Sequence, residues 1–469
     1  MPETLTPAFP DRATPLLSYG LPFTEALPRH ADALFHASRI YVICSGSLAR
    51  NTGYLDDLKQ KLGGKLAGAR IGMKPHSHWD EILSIVAEAR ACDADLLVTL
   101  GGGSLTDAAK VVSLALANSV SSPTDLAALL PPSSPPLPLS PAPRPPILPS
   151  HIPIASIPTS LSGGEYSPFA GATDPRTGHK RSFSGPALRA PSLVILDPTL
   201  TTTTPMRVWL STGVKGLDHC VETLCSLAGD GRAEAEADAG RGLGGLVGGL
   251  LGCAREGKPG RENEGQGQGK GEEEREGKGK GKGKWDLEAR LQCQLGVRDA
   301  MAACSRGVPL GASHGIGHQL GPAGVGHGET SCVLLPAVCA FNYARDANRA
   351  RQDAVAEMLW GLDDDDKDYN DEMDGDVGEK GEREGATTTT GVREVFERRG
   401  LRRGQAQLGD LLDAVIRELG LPRTLAEFGI GEEKLEAIAE HSLQDRWVKT
   451  NPAPLDKEGV LEILRMVLQ

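Results

Sequence analysis

Three of the eleven histidines fall inside one short segment, SHGIGHQLGPAGVGHG (313–328). His314 and His318 are four residues apart, which on an α-helix places them on one face. His327 follows a glycine-rich turn. A lone histidine is most often structural; three at this spacing fit a metal centre or a proton-transfer site. A second segment, KGLDHCVE (215–222), puts His219 four residues after Lys215, again on a shared helix face, with Asp218 and Glu222 on neighbouring faces. His219, His314 and His327 can therefore supply three imidazoles to one point. A divalent metal there calls for a carboxylate beside them, and the helix offers Lys215 instead. Asp218 stands about 100° around the helix from His219.

Two further segments can hold a ligand by its phosphates. LLVTLGGGSLTDAAK (96–110) reads as a buried strand ending in Gly101, Gly102, Gly103 and Ser104, with a helix opening near Thr106 and Asp107. Three glycines let backbone approach a ligand with no Cβ between, and free N–H groups at a helix start favour a phosphate. The pattern is not G-x-G-x-x-G, and the plain alternative is a tight turn. PTSLSGGEYS (158–167) follows another strand with Thr159, Ser160, Ser162 and two glycines. In open α/β sheets ligands lie at that strand edge. Paired, the two loops read as a dinucleotide site.

The elements that must position these residues change character along the chain. Short β-rich runs at 39–45, 95–100, 152–157 and 193–196 alternate with helical spacing at 80–91 and 106–117, which predicts a mostly parallel sheet. After Pro205 the runs 208–228, 287–306, 331–341, 408–419 and 459–468 all read as helices. The expected organisation is an α/β dinucleotide-binding domain over 1–205 and an all-α catalytic domain over 206–469, with a ligand cleft between them. Three segments interrupt it. Residues 121–150 hold 11 prolines and read as an extended loop. Residues 255–284 contain no hydrophobic side chain and read as disordered. Residues 361–391 carry 12 acidic and 3 basic side chains, a net −9 out of a total of −12 for all 469 residues, so the acidity says little about a substrate.

That charge balance argues against nucleic acid or an anionic membrane as partner. No apolar run is long enough to span a bilayer, and the N-terminus lacks a basic stretch before an apolar core. Nine cysteines without C-x-x-C read as free thiols in a reducing compartment, so a cytoplasmic location is expected.

The ordered motifs GGGSLTD, PTSLSGGE, KRSFSGPALRAPSLVILDPTLTTTTP, STGVKGLDHCVE, SHGIGHQLG…HGE and NPAPLDKEGVLEIL strongly resemble the iron-containing (group III) alcohol dehydrogenase superfamily. The resemblance spans the chain outside the three insertions. It implies the dehydroquinate-synthase-like fold, hydride transfer between NADH or NADPH and a small carbonyl substrate, and a homodimer. The family's metal segment is D-x-x-x-H; aligned on His219, its Asp falls on Lys215. The other family metal positions match His314 and His327, one residue closer together than usual, and His318 matches a histidine beside nicotinamide and substrate. Maleylacetate reductases, a branch of the superfamily, also lack that Asp and work without metal. His76 stands where that branch tends to carry His. Ser45 takes the place of the ribose-binding Asp of NAD-selective members, so NADPH is expected to be accepted. Asp107 and Lys110 are expected along the cofactor, and Lys180 at its ribose.

The reading is a carbonyl reductase in which Lys215 replaces a divalent Fe or Zn ion, with His318 or His219 as proton donor. The alternatives are a metal-dependent alcohol dehydrogenase using His219, His314 and His327 with Asp218 or water, a non-redox lyase of dehydroquinate synthase type, and a non-catalytic binding protein.

Overall fold

The computed structural model describes residues 2–74, 77–131, 146–228, 232–256, 285–364 and 391–469. Most of the three interrupting segments, and His76, lie outside these residues. Nine strands occur among the described residues: β1 (Thr4–Phe9), β2 (Arg12–Tyr19), β3 (Ile40–Cys44), β4 (Leu66–Ile71), β5 (Leu96–Gly101), β6 (Ile154–Pro158), β7 (Ala170–Thr173), β8 (Lys180–Phe183) and β9 (Leu193–Leu196). The helices through the sheet region are α1 (Phe23–Ala33), α2 (Gly46–Asn51), α3 (Tyr54–Leu62), α4 (Trp79–Ala91), α5 (Gly103–Ala117), α6 (Pro123–Ala128) and α7 (Pro198–Thr201). From Met206 onward every described element is helical. These are α8 (Met206–Cys225), α9 (Arg232–Cys253), α10 (Leu287–Ser305), α11 (Ala312–Leu320), α12 (Glu329–Ala344), α13 (Arg349–Gly361), α14 (Val392–Arg398), α15 (Leu408–Glu418), α16 (Glu432–Ser442) and α17 (Lys457–Met466), with short 3₁₀ turns between some of them.

Seven strands form one sheet in the order β1-β2-β9-β6-β5-β3-β4, parallel except for the β1–β2 hairpin. The central strands IYVIC, LLVTLG and IASIP are buried at every position, as apolar strands covered on both faces must be. One face packs against α4 and α5 through Trp79, Ile82, Val111 and Leu114. The other packs against α1 and α3 through Phe23, Leu27, Leu55 and Leu58. A separate antiparallel hairpin, β7–β8, stands off the main sheet.

Two expectations need correction. The segment at 121–150 is not loop throughout: α6 forms because Ser122 and Asp125 make a reciprocal capping box and Pro123 sits in the first turn, where its missing N–H costs nothing. The helix after the glycines begins at Gly103, a turn earlier than Thr106. Helix α9 escaped notice because its seven glycines disfavour a helix on propensity. Packing reverses this. A side chain at Gly242 would lie 2.9 Å from Ala300 N, and one at Gly249 only 2.8 Å from Ala289 O, so α9 meets α10 backbone to backbone.

Arg290 on α10 ties the helical part to the sheet. Fully buried, it bonds Glu256 through Nε at 2.9 Å and the Thr201 carbonyl, at the end of α7, at 2.9 Å. Its guanidinium also lies 5.0 Å from the ring centres of Trp209 and Trp285. Removing one partner strands the other charge in the interior, so Arg290→Met is expected to lower unfolding free energy by about 3–5 kcal/mol. The check is a urea titration in which the midpoint falls.

Candidate active site

The two hydroxyl- and glycine-rich loops leave the C-terminal ends of neighbouring parallel strands, β5 and β6, and touch. A Cβ on Gly102 would lie 3.4 Å from the Ser160 hydroxyl, and one on Gly103 only 2.4 Å from that of Ser162. Gly101 has φ +152°, and a side chain there would meet Ser45 at 2.9 Å. Ser45, at the end of β3, donates its N–H to Leu100 O at 2.9 Å and its hydroxyl sits 2.9 Å from that of Ser47. Ser45, Gly101–Ser104 and Thr159–Ser162 therefore form one bare backbone floor across three adjacent strand ends. Such a floor fits a dinucleotide pyrophosphate.

Two residues expected on the cofactor are committed elsewhere. Lys110 is fully buried and donates to the carbonyls of Gly164 (2.8 Å), Ser167 (3.3 Å) and Phe169. It also pairs with Asp107 at 2.9 Å, and Asp107 accepts the Gly171 N–H at 3.1 Å. The pair thus fixes the loop behind Ser162 instead of reaching toward a ligand, because three carbonyls turned inward need a donor. Lys180 comes from β8 and crosses Gly171, where a Cβ would lie 2.2 Å from its Cε. Its charge reaches His327 and Lys215.

The histidine cluster assembles. Helices α8 and α11 bring the rings of His219 and His314 into a stack with centroids 4.5 Å apart, and His318 meets His314 edge-on at 6.4 Å. His327 is exposed, and it lies close enough that the Lys215 charge pushes its pKa well below the usual imidazole value. Burial does the same to His219 and His314. Lys215 is 8 % exposed, and its own pKa is lowered by burial. No hydrogen bond or close ion pair holds its ammonium among the described residues, and its nearest opposite charges, in order of effect, are Asp218 and Glu222. His318 is 39 % exposed at its side chain.

Behind the imidazoles lies a buried knot whose members, Asp218 and Glu222, carried no fixed role in the sequence. Glu222 accepts the N–H groups of Gly311 and Ser313, each at 2.9 Å, and stands 2.9 Å from His314 Nδ1. Asp218 accepts the hydroxyls of Ser313 (3.0 Å) and Ser331 (2.6 Å) and lies 3.2 Å from the same Nδ1. Burial pushes Glu222 up to about 7, and burial with the Glu222 charge pushes Asp218 up to about 8. With Nδ1 turned to two carboxylates, His314 Nε2 is left buried and without a partner. That atom is an acceptor aimed at whatever binds next to it. Asp445, unmarked by any motif spacing, holds His318 Nδ1 at 2.9 Å from 127 residues away.

Residues 22–198 match the iron-containing alcohol dehydrogenase family and residues 392–468 its C-terminal region. Dehydrogenase FUM7 of Gibberella moniliformis is 34% identical over 96% of both chains. Dehydrogenase ALT3 of Alternaria alternata is 36% identical over 92% of this chain and 99% of its own. The chain belongs to the iron-containing alcohol dehydrogenase family. It is an oxidoreductase of that family, as its motifs suggested. Its fold superposes on the crystal structure of maleylacetate reductase from a Rhizobium species with a TM-score of 0.65, at 22% identity and covering 100% and 98% of the two chains. No helix of the described residues is long and apolar enough to cross a membrane.

The family's name raises a divalent ion. Asp218, Glu222 and His314 offer three ligand atoms within 4.8 Å of one another. Hydrogen bonds already occupy most of their atoms, while Asp218 Oδ1 and His314 Nε2 lack a partner. At the three-imidazole face the fourth group is the Lys215 ammonium, and like charge disfavours a cation there. Asp218, Glu222 and His314 thus remain a candidate metal site, with the Lys215 charge acting on it, and no step is derived through an ion.

Lys110→Met leaves three carbonyls and Asp107 without their donor. The expected loss is about 3 kcal/mol of stability, read by denaturant titration, together with weaker NADPH binding in a fluorescence titration.

Proposed function

We propose that this oxidoreductase is a maleylacetate-reductase-like enzyme that reduces a small carbonyl with NADH or NADPH, and that Lys215 takes the place of a catalytic metal ion. The observation that carries the reading is the Lys215 ammonium itself, buried, without a bonded partner among the described residues, and beside His219, His314 and His327.

The bare floor of Gly101–Gly103 with Ser104 and Thr159–Ser162 suits the cofactor's phosphates, and the Lys180 charge reaches Lys215 and His327. Nicotinamide, when bound, supplies the hydride. Negative charge then develops on the carbonyl oxygen, and a fixed ammonium in a water-poor site stabilises it. Desolvation raises that interaction above its value in water. His314, locked by Glu222 and Asp218, presents Nε2 as an immobile wall of the pocket. His318, open to solvent, is the imidazole placed to exchange protons. His219, stacked and held neutral, is a weaker donor.

The buried trio Asp218, Glu222 and His314 favours a second reading, a metal-dependent alcohol dehydrogenase. Metal analysis of active enzyme separates the two. The expected outcome is activity without stoichiometric metal, unaffected by chelators, and a kcat reduced about 10²- to 10³-fold in Lys215→Met. Stoichiometric iron or zinc with chelator-sensitive turnover overturns the metal-free reading. Turnover is screened on maleylacetate, 2-oxo acids and simple aldehydes.

Ser45 favours acceptance of NADPH, because no carboxylate at that position repels a 2′-phosphate. Ser45→Asp is expected to raise KM for NADPH about tenfold or more while leaving NADH within about twofold, since like charges in contact cost more than about 1 kcal/mol. Steady-state kinetics with both cofactors is the check.

A further inference from the structure

Asp445 sits in a strap, residues 445–451, that crosses α11 from end to end. At one end Asp445 Oδ2 stands 2.9 Å from His318 Nδ1. At the other, Asn451 Oδ1 accepts the Ala312 N–H at 3.3 Å, and the Thr450 hydroxyl donates to Leu310 O at 2.5 Å. Between them Gly315 lies so close that a Cβ would be 2.8 Å from Val448 N. The carboxylate is itself fixed, for its Oδ1 accepts the Trp447 N–H at 2.8 Å. A carboxylate on a rigid strap thus meets an imidazole on a clamped helix.

The contrast with His314 decides which imidazole moves a proton. Both rings present Nδ1 to carboxylates. His314 is only 4 % exposed at its side chain, with no route to water for a spent proton, whereas that of His318 is 39 % exposed. A donor that turns over must be recharged by solvent.

We propose that Asp445 is a positioning residue for proton transfer, fixing His318 so that Nδ1–H points to the carboxylate and Nε2 faces the substrate oxygen. The inference rests on the reductase reading above. As hydride arrives at the carbonyl carbon, the C=O π pair moves to oxygen, the Nε2–H bond of protonated His318 breaks, and an O–H bond forms. The N–H electron pair stays on Nε2. The products are an alcohol, oxidised nicotinamide and neutral His318, still donating Nδ1–H to Asp445. Water returns the proton through the exposed face. Asp445 holds the orientation and the tautomer of the ring, the role a buried carboxylate plays in hydrolase triads.

The test compares wild-type full-length protein with Asp445→Asn, Asp445→Glu and His318→Asn. In Asp445→Asn, Oδ1 can still accept from Trp447 N, but the new amide donates to Nδ1 and drives the ring proton to Nε2. The expected results are a kcat for NADPH-dependent reduction lower by about 30- to 300-fold, an NADPH KM within about threefold, and a ¹⁵N imidazole signal, identified by its loss in His318→Asn, that switches tautomer. Asp445→Glu is expected to regain about a tenth or more of wild-type kcat. A kcat in Asp445→Asn within about twofold of wild type overturns the proposal, as does a wild-type His318 already in the Nε2–H tautomer. The second measurement stands even if Asp445→Asn fails to fold. Wild-type protein that oxidises NADPH with none of the screened carbonyls overturns the reductase reading, and this proposal with it.

Discussion

Two carboxylates buried one turn apart on α8, Asp218 and Glu222, hold this site in shape. Between them they take up two backbone N–H groups, two serine hydroxyls and one imidazole nitrogen. Those donors come from the turn before α11, from α11 itself and from α12. Buried charge of this kind survives only when every oxygen is satisfied or neutralised, and the upward displacement of both acids shows how near they are to neutral. Their role is to fix three helices against one another and to set which nitrogen of His314 faces outward.

On the other side of that knot the electrostatics reverse. Lys215 contributes positive charge, Lys180 adds more, and His219, His314 and His327 are held uncharged. The opening is therefore lined by donors and by neutral acceptors, with its acids turned inward. Such a field suits a reaction in which an oxygen gains negative charge.

Much of this was legible in the sequence, and the limits have physical reasons. The central strands declared themselves by unbroken apolar runs, because both faces are covered. The two glycine- and hydroxyl-rich loops declared themselves because close backbone approach demands small residues. His219, His314, His318 and Lys215 followed from helical spacing, and His327 from its place after a glycine-rich turn. The edge strands β1 and β4 and the neighbouring β2 did not, since half-exposed strands dilute the apolar signal. Lys110 looked like a cofactor contact because chemistry predicts what an ammonium can bind, not which way its loop turns. Asp445 was invisible for a different reason. Its partnership with His318 exists only after 127 residues of chain have folded back.

The seam between α9 and α10 carries a consequence for how this chain tolerates change. The two helices touch through glycine backbone, and Glu256 is tied to Arg290 just where the chain leaves α9. The ends of segment 257–284 are therefore brought together by contacts that owe nothing to the segment itself. Closing a longer tether between anchored points costs little, about 0.6 kcal/mol per doubling of length. That stretch is free to lengthen, shorten or change composition between relatives while the nucleotide floor and the imidazoles stay where they are.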